Sequence, residues 1–410
     1  MKKSVKIATL LGVSVATLSA SGFRIPEQSL NSVALGAAYV ANANGADASY
    51  YNPANMVWND DVSEFELALT YINLPKVKYE DKSGFTNESK EEHFYVPTFH
   101  YVSPAVGDWR FGLSMVAPGG LSKRWDDAYA KSSAEEFTLE VIEINPTVAY
   151  KVNDKFAIGF GLRGVYTDGV VKSDANGVLS RDMTGDSIDF GYNLALSYKP
   201  IENLTFSSTY RSKVDLTVKG NAKLNYTPTG GNYDGDASVT IPLPATLAIA
   251  AAYKFNKTTV EFVFDRTYWS SYKELDFEYG TFTNDPLNVL KTKFDDPKAK
   301  NWKDVNAYRI GVTHQYSDSL KFMGGFSIDK NPAPDETLGF ELPDSDAYIY
   351  SAGLEYKVNK DMKIGLSYLY SDKDERTVLN PTASALNPVP NGTFSNSSAH
   401  LVTASLKYRF

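Results

Sequence analysis

The sequence predicts an all-β protein: a 14-stranded antiparallel transmembrane β-barrel with an N-terminal hatch, or plug, in its lumen. Three observations carry this prediction. Apolar residues alternate with small or polar ones from about residue 61 to the end of the chain. Short turns recur just after a tyrosine and are separated by longer polar segments. The chain closes on an alternating strand, Val402, Ala404, Leu406, Tyr408 and Phe410, whose last residue is aromatic.

Composition narrows the class. In 410 residues, 43% are hydrophobic and 22% charged, and no run reaches the roughly 18 consecutive apolar residues of a membrane-spanning helix. Aromatic residues are abundant, with 27 Tyr and 22 Phe. Cysteine is absent, which removes disulfide frameworks, thiolate metal sites and cysteine nucleophiles together. A net charge of −8 argues against a nucleic-acid footprint.

The first element is an export signal. Lys2, Lys3 and Lys6 precede a mostly apolar stretch from Ile7 to Leu18, and small residues follow at Ser19, Ala20 and Ser21. This is the pattern of a cleaved secretory signal peptide over residues 1–20, with cleavage expected after Ala20. The second element, residues 21–60, does not alternate. It is rich in Gly, Ala, Ser and Asn yet carries Leu30, Val33, Leu35, Tyr39, Tyr50 and Trp58, too apolar for a solvated tail.

The barrel occupies residues 61–410. In 188–198, Ile188, Phe190, Tyr192, Leu194, Leu196 and Tyr198 alternate with Asp189, Gly191, Asn193, Ala195 and Ser197. In 156–167, Phe156, Ile158, Phe160, Leu162 and Tyr166 share one face, with Ala157, Gly159, Gly161 and Arg163 on the other. An apolar band ending in aromatic girdles, backed by a polar interior, is the signature of a membrane-spanning barrel. Short turns follow Tyr101, Tyr150, Tyr198, Tyr253, Tyr316 and Tyr356. These six turns join twelve strands. Strands near 65–71 and 401–410 complete the fourteen, with both ends on the short-turn, periplasmic side. The segments at about 117–136, 168–186, 219–237, 272–304, 329–346 and 371–398 are polar and rich in Gly, Pro and Asp, and are expected as outer loops. The terminal Tyr408 and Phe410 are expected to be read by the barrel assembly machinery. A barrel this wide cannot be filled by its own inward side chains, so the natural place for residues 21–60 is inside it.

At this point the chain resembles a family. Ser21-Gly-Phe-Arg-Ile-Pro-Glu-Gln-Ser29, Leu35-Gly-Ala-Ala-Tyr39 and Gly45-Ala-Asp-Ala-Ser-Tyr-Tyr-Asn-Pro-Ala54 are similar to the hatch of FadL-type long-chain fatty acid transporters. Tyr210-Arg-Ser-Lys-Val-Asp-Leu-Thr-Val-Lys-Gly-Asn221, Ile241-Pro-Leu-Pro244, Tyr268-Trp-Ser-Ser-Tyr272, Asp304-Val-Asn-Ala-Tyr-Arg-Ile-Gly311 and Leu342-Pro-Asp-Ser-Asp346 follow in the family's order. The resemblance implies a hatch-filled barrel of fourteen strands and a diffusion channel in the bacterial outer membrane, surrounded by outer-membrane lipid. Its implied cargo is long-chain fatty acids. Aromatic hydrocarbons or other small hydrophobic molecules, or a structural or adhesive barrel, are the alternatives.

No enzyme is expected. His93, His100, His314 and His400 lack metal-ligand spacing, no phosphate-binding loop or nucleophile elbow is present, and no cofactor is implied. A long-chain acid needs an apolar pocket with a few polar groups to fix its head, and a lysine or arginine suits the carboxylate. The resemblance places Phe23 in that pocket and Lys303 and Lys172 near the head group. Trp109 to Met115 alternates, but Val116-Ala-Pro-Gly-Gly120 follows, and Pro118, Gly119 and Gly120 weaken a strand. The resemblance puts a lateral opening there. The strand around Ser114–Gly120 is expected to bend inward, with the hatch residues Asn52, Pro53 and Ala54 packed beneath the gap.

Overall fold

A computed structural model describes residues 22–380 and 389–410; the signal peptide and Ser21 lie outside the described residues. The chain closes into a barrel of 14 antiparallel strands. They are β1 Glu64–Leu74, β2 Glu92–Val102, β3 Trp109–Arg124, β4 Glu136–Lys151, β5 Phe156–Ala175, β6 Leu179–Ile201, β7 Leu204–Arg211 continued by Val214–Tyr226, β8 Gly231–Leu243 continued by Thr246–Phe255, β9 Thr258–Thr267, β10 Val305–Gln315, β11 Leu320–Asp329, β12 Ala347–Lys357, β13 Met362–Lys373 and β14 Ser398–Arg409. Closure is made by β1 against β14, from Glu64↔Arg409 to Asn73↔His400. The Ser63 and Phe410 backbones exchange two hydrogen bonds of 3.1 Å at that seam. Joining the first strand to the last removes the two terminal edges that would otherwise template aggregation.

The alternation follows from which face meets lipid. Ile188, Phe190, Tyr192, Leu194, Leu196 and Tyr198 are all exposed on the outer wall, while Asn193, Ala195 and Ser197 are buried inside. At the six short turns the strands rejoin as the tyrosine spacing requires. The outer side differs from expectation. Residues 168–186 and 219–237 are not loops: β5 and β6 run to a tight turn with Asn176 and Gly177 at positive φ, and β7 and β8 extend to a turn at 227–230. Asn-Gly is the strongest two-residue hairpin signal, and the polar composition on both sides of it reflects strands that rise past the membrane. Similarly, β3 continues to Arg124, and a helix, Ala128–Ala134, follows a capping Asp127. The described parts of 371–398 are not open loop either. Arg376–Val378 and Gly392–Ser395 pair with each other, and Gly392–Ser395 also pairs with Lys78–Asp81, giving a small outer sheet. Pro381 to Pro388, in the same segment, lie outside the described residues.

Residues 22–63 run inside the barrel. They form two short helices, Leu30–Ala34 and Ala48–Tyr51, and a 3-10 turn, Pro53–Trp58. Ser29 caps the first helix, exchanging side-chain bonds with Ser32. So little regular structure leaves many backbone groups to satisfy, and wall side chains do it. The Glu261 carboxylate accepts from the N–H groups of Val40 at 2.8 Å, Ala41 at 2.5 Å and Asn42 at 3.3 Å. The Glu66 carboxylate accepts from Leu30 N–H at 3.2 Å. Inward glycines make the room: a Cβ on Gly325 of β11 would overlap the Leu35 carbonyl.

Candidate ligand pocket and wall gap

Phe23 is where the lumen segment meets the outer loops. Its ring packs edge-on against Trp269 at 4.8 Å between centroids, with Trp302 at 6.2 Å and Tyr272 at 6.4 Å. These aromatics come from the outer connection between β9 and β10, and Trp302 also packs on Trp269 at 4.8 Å. Gly22 adopts φ +67° where a Cβ would lie 2.6 Å from Trp302 and 2.8 Å from Trp269, so only glycine lets the chain pass between the indoles. Leu121 of β3, Phe137 and Leu139 of β4, Ile241 of β8 and Leu342 complete an apolar cavity of about 20 Å³ around Phe23. A second cavity of about 20 Å³ shares Phe137, Leu139 and Ile241 with it and continues to Val171, Met183 and Phe277. Each holds little more than one water-sized group.

One ion pair interrupts this apolar wall. Lys300 bonds Glu341, and both line the Phe23 cavity. Burial pushes the Glu341 carboxyl up, but Lys300 outweighs it and holds it below the ordinary range.

Neither lysine expected at the head group lines the Phe23 cavity. Lys303 is exposed, and its backbone N–H bonds Pro332 at 3.0 Å. Lys172 points away from the lumen, because its neighbours Val171 and Ser173 face inward, and it pairs with Glu136 at 3.4 Å. Lys300 is the basic group in the cavity. The Tyr268–Tyr272 block marked this loop in the sequence, but nothing in the spacing distinguished Lys300 from Lys303.

The gap lies between β2 and β3. Pairing holds only from Val102↔Gly112 to Phe99↔Met115. It resumes as an isolated bridge between Ser89 and Trp125. Between them β3 shifts register against β4 at Val116/Gly119, a bulge that bends the strand. From Val116 to Lys123 every residue is buried, as expected for a strand drawn off the wall into the lumen. The free edge of β3 is taken by the lumen segment. Arg24 bridges Gly119; Ile25 N–H donates to the Pro118 carbonyl at 2.9 Å, and Gly120 N–H donates to the Phe23 carbonyl at 2.9 Å. Gln28 mimics a further residue of strand, its amide oxygen accepting from Ala117 N–H at 2.7 Å and its amide nitrogen donating to Ala117 carbonyl at 2.8 Å. On the opposite edge, Ser103 N–H points to β3, at Phe111. The two-residue alternation of ladder bonds then aims position 97 into the gap, and Pro97 has no N–H to leave there.

Ser114 sits at the start of the bend. Its hydroxyl bonds Ser49 at 2.7 Å and His100 Nδ1 at 3.0 Å, and His100 Nε2 bonds the Gln28 carbonyl at 2.8 Å. Asn52, Pro53 and Ala54 are not beneath the gap. Pro53 and Ala54 press on Gly159 of β5, and Ala54 packs with Ala157 and Ala195. Asn52 donates to the Val40 carbonyl at 3.0 Å. The asparagine and proline shape the floor of the lumen segment, while Phe23–Gln28 and Ser49 reach the bend.

Residues 12–410 match the family described as outer membrane protein transport protein (OMPP1/FadL/TodX). The chain is 26% identical to the long-chain fatty acid transport protein of Escherichia coli K12, over 90% of this chain and 93% of that one. It is 23% identical to outer membrane protein P1 of Haemophilus influenzae Rd over 77% of this chain and 75% of that one. Among solved structures, a Pseudomonas aeruginosa FadL homologue superposes with a TM-score of 0.82 at 19% identity, covering 95% of this chain and 99% of that one. The Ralstonia pickettii toluene transporter TbuX gives 0.67 at 19%, covering 93% and 98%. With the closed barrel, its filled lumen and the match along nearly the whole chain, the protein belongs to the OMPP1/FadL/TodX family of outer membrane transport proteins.

Proposed function

We propose that the protein admits hydrophobic compounds, long-chain fatty acids first, by passive diffusion through its wall. The observation that carries this reading is that Phe23–Ile25 does two jobs. The Phe23 side chain fills the aromatic cavity, and the backbone of the same three residues occupies the free edge of β3. A ligand that takes the place of the Phe23 ring therefore pulls on the backbone that closes the gap. An apolar molecule gains by leaving sideways, since a path along the barrel axis would expose its chain to water. Lys300 supplies the charge for a carboxylate head, exchanging Glu341 for the ligand. The 26% identity to a fatty acid transport protein supports the choice of cargo.

The test is binding of radiolabelled oleate and of its methyl ester to purified protein. Phe23→Glu should abolish binding of both, because it places a charge among Trp269, Tyr272 and Trp302. Unchanged oleate binding would contradict the pocket. A second cargo is favoured by the ring that would be displaced: moving Phe23 frees the volume of one aromatic ring beside Trp269, Tyr272 and Trp302, which suits a monoaromatic hydrocarbon. Toluene competing with oleate at the same site would support that reading.

A further inference from the structure

Arg24 follows Phe23 in the chain but faces the other way, into a separate cavity of about 60 Å³ on the far side of the β3 bend. Pro118 and Leu243 line this cavity, and Gly119 and Leu243 nearly touch: a Cβ on Gly119 would lie 3.1 Å from Leu243. The cavity therefore abuts the same bend that the aromatic pocket approaches from above. Its walls are charged. Arg24, Arg163 and Arg211 line it together with Asp265. Arg24 pairs with Asp265 at 2.7 Å, and Arg163 with Glu143 at 2.9 Å. Arg211 also bonds Glu143 and lies over the Tyr50 ring, 4.3 Å from its centre. Three guanidinium groups thus share two carboxylates. The neighbouring Arg309 pairs with Asp329 at 3.3 Å and also reaches Asp265 at 3.8 Å. Glu27 is a further buried carboxyl close to Arg309 and Arg24, and Arg211 Nη1 is buried without a partner.

We infer that this arginine cavity is a second station for the carboxylate of a fatty acid in transit, reached after the head group leaves Lys300. The inference rests on the pocket reading above. A carboxylate drawn past Pro118 and Leu243 with no cation ahead of it would be stranded among apolar groups, which is costly. Arg211, with an open N–H and a ring beneath it, offers the charge-assisted bonds that replace water there. The space suits a head group and not an acyl chain, so the tail trails back through the bend while the head is held. Arg24 ties the two stations together, because displacing Phe23 moves it.

The experiment compares uptake of oleate with uptake of oleyl alcohol, equal in tail and lacking the charge, by cells producing Arg211→Gln or Arg211→Met. Outer-membrane yield and the heat-modifiable folded band serve as the folding check. Both variants should bind oleate at the outer pocket as the wild type does. Both should slow oleate uptake about tenfold, the scale of one charge-assisted bond, and leave oleyl alcohol uptake unchanged. Equal slowing of acid and alcohol would assign the arginines to the architecture of the lumen and overturn the inference. Unchanged uptake of both would show that the acid crosses without this station, and would also overturn it. Failure of the wild type to bind or take up either compound would instead count against the pocket reading.

Discussion

At the scale of single residues, Gly22, Phe23 and Lys300 have separate roles in the proposed pocket. Gly22 is a passage, Phe23 a space-filler and Lys300 a charge. Lys300→Ala should weaken oleate binding roughly 10- to 100-fold, the range of a charged hydrogen bond. Binding of the methyl ester should change little, and Lys303→Ala should alter neither. A loss shared by acid and ester would show that Lys300 acts through packing. Asp344 adds a dependence on pH. Its carboxylate accepts the Gly22 N–H at 3.0 Å and the Lys373 ammonium at 2.9 Å. Burial pushes its carboxyl up to about 6, against the pull of Lys373. The docked value lies above the solvated value of about 3.9, so proton binding favours docking. The contribution is full below the solvated value and is lost as pH rises through about 6. Amide exchange at Ile25, corrected for its intrinsic rate, should therefore quicken from about pH 5 to about pH 7.5 in the wild type and stay level in Asp344→Asn. Protection that grows with pH would reverse this assignment.

At the scale of elements, the bend in β3 and the segment it receives form one structure. Pro118 and the two glycines after it were legible in the sequence as a weak strand, because missing donors and missing side chains are local properties. The partner that rescues the edge was not. Phe23–Ile25 lies about a hundred residues away, and nothing in Asn52-Pro53-Ala54 said that it would face β5. The same limit applies to Lys300, whose direction depends on how a long connection folds over the lumen. The outer hairpins were misread for a different reason. Strands standing clear of the membrane lose their apolar outer band: in β7, Leu216, Val218, Ala222 and Leu224 turn inward while Lys219, Asn221 and Lys223 face water, so the alternation persists with its faces exchanged and reads as a polar segment. The lumen segment itself is seated by close approach. Gly325→Val should drive Leu35 off β11 and loosen the segment while the strand pairing survives. Planar-bilayer recordings should then show a conductance larger than that of the wild type. Equal conductance would mean that the segment tolerates the side chain by shifting elsewhere.

For the whole molecule, the barrel is closed by residues from its two ends, and that seam was visible early. Phe65 packs on Tyr408 at 5.9 Å and on Phe410 at 6.4 Å between centroids, so the terminal aromatics belong to the seam as well as to the expected assembly signal. Phe410→Ala should reduce the heat-modifiable folded band in outer-membrane fractions; an undiminished band would show the ring to be dispensable. Closure also makes the β2–β3 gap meaningful. In a wall whose other membrane-facing strands are paired, the β3 bend, edged by the lumen segment, is where the proposed lateral exit lies. The measurement that bears on this most directly is radiolabelled oleate uptake by cells carrying Arg24→Cys with Gly119→Cys, the two positions bridged across the gap. Oxidised, the pair should fold and reach the outer membrane normally but take up no oleate, and a reductant should restore uptake to the level of the unlinked double variant. Undiminished uptake by the crosslinked protein would contradict a gate at this place.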